Sequence, residues 1–213
     1  MAESVYAAVN AMQNTPSGSI PHVMVDLETL GTRPGCVILS IGAISFKPWL
    51  WGSPGLKWQE SITRLEVHVS VESCLDVGLE IDPRTQEWWE RQSSEARAHA
   101  FGNTDKEIPI RDACLAVRDF FLGLGNENGV FPGRVWCHGL NFDLPILAEA
   151  MHRVGVPLPW HYRSGRDTRT LLEEAGMDHR GRHHMPIADC IAQAALVSEA
   201  KMRLADALGR EVI

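Results

Sequence analysis

The chain has 213 residues, 45% of them hydrophobic and 22% charged, which is enough to bury one substantial core and argues against wholesale disorder. A net charge of −7 excludes a basic nucleic-acid coat protein, so any polyanion has to be met locally, at carboxylates whose sign bound cations reverse. Five scattered cysteines, Cys36, Cys74, Cys114, Cys137 and Cys190, never form a C-x-x-C pair, which argues against a disulfide framework or a zinc knuckle and for a reducing, cytoplasmic setting.

In chain order, residues 1–20 read as a flexible tail: a short helical stretch from Val5 to Met12, then turn formers from Asn14 to Ser19. Residues 21–213 form one domain. His22 to Asp26 is a first strand and Val37 to Phe46 a second, joined through the turn-forming segment Leu30 to Gly35. Residues 47–61, rich in Trp, Pro and Gly, read as a long surface loop, and Arg64 to Val71 alternates as a third strand. Asp82 as N-cap and Pro83 at the first helical position open a helix to about Phe101. A further helix spans Ile110 to Leu124, a fourth strand Arg134 to His138, and helices Leu144 to Val154, Asp167 to Ala175 and Pro186 to Leu208. Three consecutive strands followed by strands alternating with helices imply a mixed α/β sheet covered by helices. The chain has no apolar run of about 18 residues and no basic segment leading into one, so neither a membrane span nor an export signal is expected.

The chemistry gathers at strand ends. Asp26 and Glu28 stand two apart on an extended segment, so both carboxylates face the same side. Like charges held that close repel unless a cation shares them, and oxygen ligands suit Mg²⁺ or Mn²⁺ rather than zinc or copper. By itself a D-x-E pair is common in solvated turns. Asp143, after the fourth strand in His138-Gly139-Leu140-Asn141-Phe142-Asp143, and Asp189, in the first turn of the last helix, add two more acids that converge if the first and fourth strands are neighbours. His184 precedes Asp189 by five positions in H-x-x-x-x-D, and an imidazole accepts a proton near neutral pH.

D-x-E, a later Asp in an N-F-D context and H-x-x-x-x-D together resemble the DEDDh group of 3′→5′ exonucleases, over the stretch from Asp26 to Asp189. Asp26-Leu27-Glu28-Thr29-Leu30-Gly31, Glu87-Trp88-Trp89-Glu90-Arg91-Gln92-Ser93 and Arg166-Asp167-Thr168-Arg169-Thr170 resemble its phage and bacterial exonuclease VIII-like, 3′→5′ exoribonuclease branch. The resemblance implies an RNase H-like five-stranded sheet of order 3-2-1-4-5 with the first three strands antiparallel, the fifth falling between Trp160 and Arg169. It implies two divalent cations, Mg²⁺ or Mn²⁺. Asp26 is shared between them, Glu28 and Asp189 complete one site, Asp143 serves the other, and His184 is the general base for release of 5′-mononucleotides from single strands or 3′ overhangs. It also implies that Leu27, Thr29, Leu30 and Asn141 meet the 3′ end of the substrate, that RNA is favoured over DNA, and that a homodimer is an option. Pro186 departs from the family, which has a small residue there, and stiffens the segment that carries His184.

Other readings stay open at this stage. Trp88 and Trp89 offer stacking faces for bases, yet neighbouring helical positions diverge by about 100°, so the two are not expected to share one pocket and one of them belongs in the core. Asn141 serves equally as a helix cap, and Arg166 as a partner of Glu173 or Glu174. His179, His183 and His184 leave zinc as a minor alternative. In function, the competitors are a catalytically silent nucleic-acid-binding module and an RNase H-like endonuclease.

Overall fold

The computed structural model describes residues 20–50, 62–102, 105–178 and 184–209. The helical stretch expected at Val5 to Met12, residues 51–61 of the expected surface loop, and His179 and His183 lie outside the described residues.

The sheet is built from β1 (His22–Thr29), β2 (Ile38–Phe46), β3 (Arg64–Val69), β4 (Glu107–Ile108), β5 (Arg134–Cys137) and β6 (Gly165–Asp167). Its order is β4-β3-β2-β1-β5-β6. β1 pairs antiparallel with β2 and β2 with β3, while β5 lies parallel to β1 and β6 parallel to β5. This is the RNase H-like arrangement that the resemblance implied, and the obscure fifth strand falls within its expected interval, as β6. The sheet exceeds the expectation by one strand: β4 is a two-residue parallel addition beyond β3, too short for any alternation to show in sequence.

The helices are α1 (Val71–Asp76), α2 (Pro83–Glu90), α3 (Ser94–Phe101), α4 (Ile110–Gly123), α5 (Asp143–Arg153), α6 (Thr168–Glu174) and α7 (Pro186–Leu208). Two differ from expectation. The helix expected from Pro83 to Phe101 is two helices, because Ser93 leaves helical geometry and its side chain accepts from Ala96 N to start a new one. The expected third strand stops at Val69, since Ser70 caps α1 by accepting from Ser73 N. Asp82 caps α2 as read, and α7 has the expected limits.

One face of the sheet holds the larger core, where Val23, Val25 and Leu27 of β1 pack with Val117 and Phe121 of α4 and Ile146 and Leu147 of α5. The other face is covered by α7, whose Cys190, Ala194 and Val197 pack on Met24, Ile44 and Trp136. β1 and β5 are tied across this face by a buried pair in which Trp136 Nε1 donates to His22 Nδ1 at 3.0 Å. Burial, aided by the positive charges of Lys201, Arg134 and Arg166, holds the His22 pKa well below its ordinary value, which keeps the imidazole a neutral acceptor.

Pro186 is buried where α7 meets the sheet, and Gly42 of β2 makes room for it. A Cβ on Gly42 would stand 2.5 Å from Pro186 Cβ and 2.7 Å from its carbonyl carbon. The residue that departs from the family pattern is thus seated on a position without a side chain, and it sets how closely α7 approaches the strands. Because the opposing atoms include backbone, Gly42→Ala forces the start of α7 outward. It is expected to lower stability by about 1 to 3 kcal/mol in urea unfolding.

Candidate active site

Alternation along β1 sends Met24, Asp26 and Glu28 to the α7 face, opposite the side that buries Val25 and Leu27. A register shift between Glu28 and Thr29 ends the regular ladder just where the carboxylates are presented. From α7, Asp189 folds back on its own helix start, Oδ2 accepting from Met185 N at 3.2 Å. Gln193, one turn further along the same face, donates from Nε2 to Asp26 Oδ1 at 2.9 Å. Asp143, the first residue of α5, reaches β1 from the other neighbouring strand's end, and its Oδ1 accepts from Leu27 N at 3.2 Å.

Oxygens of Asp26, Glu28 and Asp189 come within 4.8 Å of one another. Glu28, Asp143 and Asp189 are 6%, 3% and 5% exposed, so little water is available to separate these charges. Burial, reinforced by Asp143, Glu28 and Asp189, pushes the Asp26 carboxyl well above the ordinary carboxylate range, against the opposing hydrogen bond from Gln193. An all-oxygen set of mutually repelling acids is what a hard divalent cation requires, and the donor chemistry therefore fits such an ion.

His184 enters the same site with backbone φ of 51°, an unusual value for a residue with a side chain. Its Nδ1 lies 3.9 Å from Glu28 Oε2. The ring is met edge-on by Trp88 and Trp89, with centroids 5.0 and 5.9 Å away. The two indoles also touch each other at 5.1 Å, so the expectation that adjacent tryptophans cannot share a pocket is corrected. Their long side chains reconverge at one target although their Cβ atoms diverge. Trp89 is the core member, 2% exposed, with Nε1 donating to Thr29 O at 2.9 Å.

These groups line one open cleft of about 850 Å³. Leu27, Thr29 and Asn141 also line it, whereas Leu30 is buried in the core at 4% exposure. Asn141 is not the cap of α5, since Phe142 holds that position without a side-chain bond. Arg166 pairs with neither Glu173 nor Glu174: its Nη1 donates to the carbonyls of Arg163 and Gly165, and it lies outside the cleft lining. The cations of the cleft are Arg33, Arg84, Arg91 and Arg169. Arg91 and Arg169 fall within the motifs that carry the family resemblance but had no expected role there, and Arg33, Arg84 and Gln193 had none either. The four-residue step from Asp189 to Gln193 is the signal that would have found the glutamine. Asp167 braces the loop before Asp143, accepting from Leu140 N at 2.7 Å and Thr170 N at 2.9 Å. Burial works to raise its pKa, but these bonds with Thr170 and Leu140 and the Arg169 charge prevail and hold it below the usual value.

A family model described as the 3′-5′ exoribonuclease Rv2179c-like domain matches residues 21–201. Direct comparison with curated proteins finds no match. Among solved structures, exonuclease I is similar with a TM-score of 0.56 at 16% identity, over 89% of this chain and 43% of that one. E. coli exonuclease I in complex with a dA16 oligonucleotide gives 0.55 at 15% identity, over 89% and 43%. The nuclease domain of 3′hExo, a DEDDh family member bound to rAMP, gives 0.53 at 13% identity, over 93% and 98%. The chain thus spans less than half of the exonuclease I chains and nearly all of the 3′hExo domain, and the likeness establishes a common fold.

The raised Asp26 pKa sets a pH dependence for the cation-free protein. Below the ordinary value of 3.8 both folded and unfolded chains hold the proton, and Asp26 exacts no penalty. As pH rises from there, the unfolded chain releases its proton while the folded one retains it, so stability falls until the folded pKa is passed. In urea unfolding with EDTA, Asp26→Asn is expected to become progressively more stable than wild type above pH 4, by at most about 1.4 kcal/mol per pH unit.

Proposed function

The chain belongs to the family of Rv2179c-like 3′-5′ exoribonuclease domains, and from that premise we propose that it hydrolyses the terminal phosphodiester at the 3′ end of RNA, as a single strand or an overhang, releasing 5′-mononucleotides. The observation that carries this reading is the convergence of the Asp26, Glu28 and Asp189 oxygens in a cleft that also holds Asp143 and His184. Asp26, Glu28 and Asp189 would hold one divalent cation, and Asp26 with Asp143 a second, Mg²⁺ or Mn²⁺ by the oxygen-only donor set. Bound there, the cations would supply neutralisation of the scissile phosphate and activation of water.

The chain's own groups do the rest. His184 accepts the proton of the attacking water as its oxygen bonds to phosphorus, and the bond from phosphorus to the 3′ oxygen of the penultimate nucleotide breaks. The departing 3′ oxygen takes a proton from solvent, and a 5′-mononucleotide and a new 3′-hydroxyl result. Trp88 and Trp89 hold the imidazole that performs this step, with the Glu28 carboxylate 3.9 Å from its Nδ1. Arg33, Arg84, Arg91 and Arg169 give an acidic protein the local positive charge that the backbone of the substrate needs. Leu27, Thr29 and Asn141 line the place where the terminal nucleotide sits. All five reacting and ligating groups come from one chain, so a second copy is not needed for the chemistry.

The related structures were captured on a deoxyribonucleotide oligomer and on a ribonucleotide, so the choice of RNA rests on the family description. Among the described residues no helix is long and apolar enough to cross a membrane.

Time-resolved digestion of 5′-labelled RNA and DNA, single-stranded and with 3′ overhangs, in Mg²⁺, Mn²⁺ or EDTA tests this. A metal-dependent ladder shortening from the 3′ end is expected, faster on RNA, abolished in Asp26→Ala and lowered about 10² to 10⁴-fold in His184→Ala. Intact substrates throughout would indicate a silent binding module, and internal cuts an endonuclease. Trp88→Ala is expected to lower kcat by up to about 100-fold with KM little changed, because it loosens the general base without touching the acids.

A further inference from the structure

A second cluster of ligand-type side chains sits on the same sheet face, two strands away from the acids. Glu66 and His68 alternate along β3 and so share a side, and His99 of α3 comes down beside them. One ligand atom from each lies within 4.8 Å of the other two. The register places Glu66 opposite Gly42, itself opposite Asp26. That separates the two clusters by two strand spacings, roughly 10 Å.

His99 Nε2 stands 3.1 Å from Glu66 Oε1, and a proton between them would satisfy that pair. It would leave His68 unexplained. The Nδ1 of His68 is buried and has no hydrogen-bond partner. Ser40, opposite His68 across the β2–β3 ladder and 0% exposed, has a hydroxyl oxygen that is likewise without one. Buried polar atoms left this way are costly, and two of them side by side mark a place where a group is to be bound.

We infer that Glu66, His68 and His99 form a second metal site, distinct from the carboxylate cluster, for a divalent transition ion of the zinc class. Two imidazoles and one carboxylate select Zn²⁺ over Mg²⁺, and three protein ligands leave one position for water, which the exposure of Glu66 permits. Such an ion joins α3 to β3. The α2–α3 pair carries Trp88 and Trp89 to His184, so the ion would brace the clasp on the proposed general base from outside the reacting site.

The test uses full-length protein carrying Asp26→Asn and Asp189→Asn, which silences the acid cluster, stripped with EDTA and titrated with Zn²⁺ by calorimetry. About one equivalent per chain is expected, with a rise in thermal midpoint on zinc addition. Adding His68→Asn or His99→Gln, each checked for native circular dichroism, is expected to weaken binding at least 100-fold and abolish the thermal shift, a loss on the order seen when metal sites are disrupted. Replacing zinc by Co²⁺ should give a visible absorption band that both variants lose. The site is refuted if the silenced protein takes up no zinc, or if zinc binds equally well after both histidine substitutions. Neither result depends on nuclease activity, so this inference and the proposed function stand or fall separately.

Discussion

The structure is organised around an electrostatic conflict: acids from three different elements must be held together at the floor of a cleft, with Glu28, Asp143 and Asp189 buried from most of the water that would screen them. Asp26 shows the strain most directly, its pKa driven up by burial and by Asp143, Glu28 and Asp189. The protein answers with partners that orient the carboxylates without neutralising them. The backbone N–H of Leu27 donates to Asp143, that of Met185 to Asp189, and the Gln193 amide to Asp26. A preorganised set of oxygens is thereby ready for cations, and the repulsion that destabilises the cation-free fold becomes attraction once they bind.

The other elements serve that assembly. Parallel pairing of β1 with β5 brings the Asp143 end of the chain beside Asp26, and α7 laid over β1 and β2 brings Asp189 and Gln193 from above. The height of α7 is set where Pro186 meets Gly42, so a deviation in one motif is matched by a missing side chain on a strand far away in sequence. His184 precedes this contact and sits in a left-handed backbone conformation, held by two indole edges. Strain of that kind persists only where surroundings determine it, and here the surroundings are α2.

β3, two strands from β1, shows how one face can carry two chemistries. Near β1 the donors are all oxygens, which suits hard ions, while on β3 and α3 they are two imidazoles and a carboxylate. Strand spacing keeps the sets apart, and the α2–α3 pair connects them mechanically through Trp88 and Trp89.

By itself the sequence determined β1 and β2 by their apolar runs between turn formers, β3 by its alternation, the helix starts by Asp82, Pro83 and Pro186, and the candidate acids by their place at strand ends and at the start of α7. Each of these depends on interactions within a few residues, and such rules read well. Where local rules competed, reading failed: Ser93 broke one helix into two, Ser70 turned a strand into α1, and β4 was too short to have a pattern. Only the tertiary structure decided which acids share oxygens within reach of one ion, that Gln193 would hold Asp26 across 167 positions, that both tryptophans would meet His184, and that Leu30 would join the core instead of the cleft. Those are contacts between side chains brought together by sheet order and helix packing, and no spacing along the chain encodes their distance.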